Sequence, residues 1–317
     1  MLFGAETVNL NFCIYASTKN FKRINFISRL NKDVFIIVKI DLSRNRINEA
    51  ALLAHAKSIR LNIVRMIARN GQGYLQQALG AADLFTYLYF AEATIDPLNP
   101  NWTERDRIFL STAHNSAVFH ATLAERGFFE HSRLETYTQD GSELEINVSE
   151  RLGPVVEATC GSLGQALSVA SGLAQSAKRQ KRVFRNYVIL GDGELQEGQV
   201  WEAAMYAASN QLDNLCLIVD LNRLQVEGHT ETVISMEPID KKFKSFGWAV
   251  KVIDGHDFNA LQEGFEYARS TSDAPTVILA ETTVGKGIPF LENLMSHNMV
   301  LPPDVAEQCL SYLKSDK

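Results

Sequence analysis

The 317-residue chain sets 31 Lys and Arg against 37 Asp and Glu, a net charge of −6, which leaves no global basic footprint for nucleic acid or an anionic membrane. At 46% hydrophobic and 21% charged it has the balance of a globular protein of one large or two small domains, and no apolar run approaches the ~18 residues of a membrane span. Four scattered cysteines, Cys13, Cys160, Cys216 and Cys309, form no C-x-x-C pair; this argues against a disulfide framework or zinc site and for a cytoplasmic location.

Residues 1–40 are basic, low in acid, and mix short apolar clusters without a sustained helical or strand period. They lack the continuous apolar core and small-residue cleavage site of a signal peptide. The expectation is an atypical, poorly ordered extension, with native translation beginning near Val38. A main domain is expected over 41–303 and a tail with a short helix over 304–317.

From Asn48 the pattern becomes regular. "NEAALLAHAKSIRLNIVRMIAR" predicts a long amphipathic helix with Leu52, Ile59, Ile63 and Ile67 on one face, stopping at "NGQG". A second helix is predicted over Ala81–Ala93, a buried strand over Arg107–Ser111, and a helix in "SAVFHATLAERG" ended by Gly127. A polar, loop-rich stretch spans Tyr137–Pro154. Beyond it, "NYVIL", "NLCLIVD", "WAVKVID" and "PTVILAETT" predict strands separated by helical segments. That alternation predicts an α/β fold, a doubly wound parallel sheet flanked by helices.

"GDGELQEG", Gly191–Gly198, follows the strand "YVIL" and carries Asp192, Glu194 and Glu197 where a glycine loop would usually cradle an anion. Ligands of open parallel sheets bind beyond the carboxyl ends of the strands. Asp192 lies at one such end, and Asn222 lies 30 residues on at the next. Two oxygen donors on neighbouring strand ends suit Mg²⁺, which takes few protein ligands plus phosphate oxygens. A metal would then bridge the carboxylate and a diphosphate. The alternative is that "GDG" is an ordinary turn, and spacing alone does not separate one diphosphate cofactor from another. Glu197 reads equally as a first-turn helix acid, and "CGSLG" as a helix entry or an anion cradle.

"ILGDGELQEGQVWEAAMYAASNQLDNLCLIVDLNRLQVEG" closely resembles the diphosphate-binding module of transketolases, and "DRIFLSTAH", "GSLGQALS" and "TTVGKGIPFLEN" resemble further transketolase blocks in the expected order. The resemblance covers roughly Ala50–Pro303. It implies a thiamine diphosphate-binding fold and two-carbon ketol transfer from a ketose phosphate to an aldose. It implies that Asp192, Asn222 and the Leu224 carbonyl bind Mg²⁺ (or Ca²⁺ or Mn²⁺). Gly161, Leu163, Gly191, Gly193 and Glu197 match positions around thiamine diphosphate, Glu197 in a carboxylate network linking paired sites. His114 and His297 match proton-handling histidines.

The sequence departs from the family at two histidine positions, where Gln72 and Asn147 stand instead. Gln and Asn hydrogen-bond but do not carry a proton at neutral pH, so a non-standard sugar donor or acceptor, or weaker activity on the usual pentose phosphates, is expected. The resemblance also implies a pyrimidine-binding domain, expected on another polypeptide. The resemblance is therefore to the N-terminal subunit of a split transketolase. It implies a partner in the form of a C-terminal subunit, an α2β2 assembly and sugar phosphates as substrates. The alternatives are a related thiamine diphosphate enzyme, 2-oxo acid decarboxylating or deoxyxylulose phosphate synthase-like, and a non-catalytic paralogue.

Overall fold

The computed structural model describes residues 12–15, 23–31, 34–41, 48–294 and 299–315. The chain divides into two compact units, Met1–Ile47 and Asn48–Lys317. In the first, the described strands Phe12–Tyr15, Arg23–Asn31 and Val34–Asp41 pair antiparallel, with the second strand central. No period in the sequence announces these strands.

The second unit is built on five parallel strands: β1 (Arg107–Leu110), β2 (Asn186–Gly191), β3 (Leu215–Leu221), β4 (Ala249–Asp254) and β5 (Thr276–Glu281). Their order is β4-β5-β3-β2-β1, with every pairing parallel. Every residue of β2 and β3 is buried, as expected of strands covered on both faces. Alternation then assigns two cores. Val188, Leu190, Leu217, Val219, Val277 and Leu279 pack against α5 (Ala166–Arg179), α6 (Gly198–Ser209) and α7 (Ile239–Ser245). On the other face, the Tyr187 ring meets Phe265 of α8 (Phe258–Ser270) edge-on at 6.0 Å.

The first predicted helix is α1 (Glu49–Asn70), capped by Asn48, whose side chain accepts from the Ala50 amide, and ended by Gly71 in the left-handed region. Leu52, Ile59, Ile63 and Ile67 are all buried. A short helix α2 (Leu75–Gly80) that the glycine-rich "GQGYLQQALG" obscures follows. The segment expected as one helix over Ala81–Ala93 is α3 (Ala82–Tyr87) continued by a π-helical turn, Leu88–Glu92. That widened turn delivers the buried Glu92 carboxylate to the Tyr187 hydroxyl (2.6 Å) and the Arg269 guanidinium. α4 (Ser116–Arg126) ends at Gly127 as predicted, and the tail helix α9 runs Pro303–Lys314. Among the described residues Cys160, Cys216 and Cys309 are free and buried, and no helix is long and apolar enough to cross a membrane.

One buried ionic group fixes the loop after β5. Arg60 of α1 donates both terminal nitrogens to Asp83 of α3 (2.9 and 2.7 Å) and Nε to the Lys286 carbonyl (3.0 Å). His256 Nε2 accepts from the Thr283 amide (2.8 Å), so Nδ1 carries the proton and donates to Asp83 Oδ2 (2.8 Å). Burial alone would raise the Asp83 carboxyl, but the Arg60 charge and the His256 hydrogen bond hold it down at about 2. Because its folded value lies below the unfolded ~3.9, its stabilisation is full above pH ~4 and is lost as pH falls toward 2. Asp83→Ala leaves the Arg60 guanidinium buried without its carboxylate, and urea unfolding at pH 7 is expected to show a loss of about 3–5 kcal/mol. A loss below about 1 kcal/mol would show that this group does not anchor the loop.

Candidate functional site at the carboxyl ends of the strands

Parallel register sets the site. Gly191 of β2 lies opposite Asp220 of β3, which lies opposite Ala280 of β5, so Asp192, Asn222 and Thr282 leave the sheet on one edge. Asp192 is 3% exposed. Its Oδ1 accepts from the Gly193 amide (2.8 Å) and its Oδ2 from the Arg223 amide (2.5 Å), so one carboxylate ties two strand ends together. Asn222 Oδ1 accepts from the Leu224 amide (3.0 Å), an Asx turn that carries Arg223 into the left-handed region at φ 63°. Asn222 Nδ2 reaches Asp220 Oδ2 at 3.5 Å, and the Thr282 hydroxyl donates to Asp220 Oδ1.

The glycine loop before α5 lies against this edge. The Gly161 amide donates to the Ser111 carbonyl beyond β1 (3.1 Å), and the Leu163 carbonyl accepts from Gln199 Nε2 (3.2 Å). Gly161 has φ +107°, and a Cβ there would lie 2.5 Å from Asn147 Oδ1. Only glycine fits so close a backbone approach. His114, in the turn after β1, places Nε2 3.2 Å from where a Cβ on Gly191 would sit. A Cβ on Gly193 would lie 3.1 Å from Gln225 Cβ.

The structure therefore brings Gly161, Leu163, Gly191, Asp192, Gly193, Asn222, Leu224 and His114 to one edge of the sheet. Glu197 is exposed at the start of α6, where its Cβ would lie 2.8 Å from one added to Gly164. His297 lies outside the described residues. The Gln72 backbone pairs with Val300 in a two-residue bridge. Residues that spacing alone does not single out also belong here. Glu194, Asp220, Ser111 and Thr282 are bonded into the same edge, and His256 anchors the loop that carries Thr282. The middle carboxylate of "GDGELQEG" is the visible signal for Glu194.

Electrostatically the edge is acid-rich. Burial, then the Asp220 charge, pushes the Asp192 carboxyl up to about 7. Burial does the same to Glu194, to about 7, and raises Asp220. Among the described residues no three His, Cys, Asp or Glu side chains are grouped to hold a metal. A cation here would take one carboxylate plus amide and main-chain oxygens, the hard donor set of Mg²⁺, with coordination positions left for other oxygens. Its charge would also offset the repulsion that raises Asp192. The residues fit such an ion.

A family model described as "Transketolase, thiamine diphosphate binding domain" matches residues 53–308. The chain is 36% identical over 262 residues to a 6-deoxy-6-sulfo-D-fructose transketolase subunit of a Clostridium species, covering 82% of this chain and 95% of that protein. It is 36% identical over 263 residues to one of the subunits of the apulose-4-phosphate transketolase of Actinobacillus succinogenes, again 82% and 95%. The crystal structure of transketolase from Campylobacter jejuni superposes with TM-score 0.78 and 29% identity over 84% of this chain. The chain spans only 43% of that longer enzyme. The five-stranded parallel sheet, its glycine-lined carboxyl edge and these matches place the chain in the transketolase family, as a thiamine diphosphate-binding domain.

Proposed function

We propose that this chain is the diphosphate-binding, N-terminal subunit of a two-chain transketolase, transferring a two-carbon ketol unit from a ketose phosphate to an aldose. The observation that carries this is the convergence of Asp192, Asn222 and the 161–164 loop on one sheet edge, in a chain whose extent matches two separate transketolase subunits. Thiamine diphosphate supplies the carbanion chemistry when bound. Asp192, Asn222 and the Leu224 carbonyl would hold Mg²⁺ (or Ca²⁺ or Mn²⁺). Gly161, Leu163, Gly191 and Gly193 would let the backbone approach the diphosphate. His114, beside Gly191, would move a proton to or from the sugar, as would His297. Glu197, exposed on this chain, would enter a carboxylate network across an α2β2 assembly. The partner would be a C-terminal transketolase subunit carrying the pyrimidine-binding domain, in the cytoplasm.

An unusual sugar fits this reading. Asn147, at a family histidine position, stands over Gly161, and two relatives matched over 95% of their length are named for uncommon sugars, 6-deoxy-6-sulfo-D-fructose and apulose 4-phosphate.

Assay of the chain with a C-terminal transketolase subunit, thiamine diphosphate and Mg²⁺ across a panel of ketose phosphates is expected to show turnover in the mixture and in neither chain alone. No turnover of any donor, with cofactor bound, would shift the reading to a non-catalytic paralogue. Asp192→Ala is expected to lower Mg²⁺-dependent cofactor affinity by about 100-fold or more, with circular dichroism unchanged; undiminished affinity refutes the metal assignment. Asn147→His is expected to raise kcat/KM for ordinary pentulose phosphates about tenfold by restoring a titratable group. An unaltered donor profile would detach Asn147 from substrate choice.

A further inference from the structure

Two carboxylates of "GDGELQEG" have a place in the proposed function; the third, Glu194, has none. It is also among the most enclosed acids in the chain, 2% exposed. Its Oε1 accepts from the Gly164 amide at 2.6 Å and from the Ser111 hydroxyl, and its Oε2 accepts from the Gly191 amide at 3.3 Å. These donors come from three places: the turn after β1, the loop before α5, and the end of β2. Ser111 is itself 1% exposed.

We propose that Glu194 is a positioning residue that fixes the 161–164 loop over the strand ends and so preforms the cradle for a diphosphate, an inference that rests on the function proposed above. The loop has two other fixed points, Gly161 on the Ser111 carbonyl and Leu163 on Gln199. Glu194 adds the third, at Gly164, where φ is +82° and a side chain would run into Glu197 and Gln199. Ser111 serves twice. Its carbonyl holds the entrance of the loop at Gly161, and its hydroxyl meets the carboxylate that holds the exit at Gly164. An anion beside an anion cradle is tolerable here because its oxygens accept three donors from the protein itself. Preorganisation of this kind acts on affinity, since a loop already fixed loses little freedom when the ligand binds.

The test uses the assembled two-subunit enzyme with Mg²⁺, reading the Kd for thiamine diphosphate by calorimetry together with kcat and the cofactor KM. Glu194→Ala is expected to weaken cofactor binding about 30-fold or more, with the loss falling on cofactor KM more than on kcat. Glu194→Gln keeps an amide oxygen for Ser111 and Gly164 and is expected to recover most of that affinity. Ser111→Ala alone is expected to cost about fivefold, and to add little in the Glu194→Ala background because the two act through one contact. Should Glu194→Ala fail to assemble, the Glu194→Gln, Ser111→Ala double variant decides, with a loss of at least about tenfold expected. Wild-type affinity in these variants, or Gln as damaging as Ala, overturns the role of Glu194. A wild-type enzyme that binds no thiamine diphosphate overturns the underlying function instead.

Discussion

Asp192 accepts one hydrogen bond from the residue that follows it and one from Arg223, 31 positions along the chain. The second bond crosses from the end of β2 to the end of β3, so the site geometry depends on the register between those strands. Parallel pairing sets Gly191 against Asp220, and a shift of one residue would turn Asp220 and its neighbours to the opposite face. The Asx turn at Asn222 carries Arg223 into a left-handed conformation, which aims its amide back at Asp192. Backbone pairing, a local turn and one buried carboxylate thus specify a single arrangement.

This explains what can be read from sequence. A strand–helix–strand crossover of known length places Asp192 and Asn222 on neighbouring strand ends, and the apolar runs of β2 and β3 announce a sheet covered on both faces. The α1 stripe and its stop at "NGQG" are local features and equally legible. Glu194 is visible in the sequence but unassignable there, because its partners Ser111 and Gly164 lie 83 and 30 residues away and only the folded sheet brings them together. His256 reads as a plain turn residue for the same reason: its partners Asp83 and Thr283 lie on other elements. The π-helical turn at Leu88–Glu92 is hidden because an apolar helical pattern does not show where a buried acid will claim a wider turn.

The supports of the site are distributed across both faces of the sheet. On one, α5 and α6 bring the glycine loop and Gln199 against the strand ends. On the other, Arg60 and Asp83 hold His256, which fixes Thr283, and the adjacent Thr282 donates to Asp220. Each chain of contacts ends on a group next to Asp192 or Asn222. The two faces are packed separately, so the edge is braced from both sides. The edge is thus supported by the chain's own packing while Glu197 stays exposed.

Electrostatics connects that rigidity to ligand order. Asp192, Asp220 and Glu194 are all buried near one edge, and each carboxyl is raised by burial. A diphosphate arriving alone would add negative charge to a place that already disfavours it. On the proposed reading, a divalent cation at Asp192 would offset much of this negative charge, relieving the Asp192–Asp220 repulsion and attracting the diphosphate. Each ligand would therefore favour the other, and by linkage the coupling would be reciprocal: the cation would tighten the diphosphate by the same factor that the diphosphate tightens the cation. On the proposed function, the carboxylates in a phosphate-cradling loop would make binding of the two ligands a single coupled event.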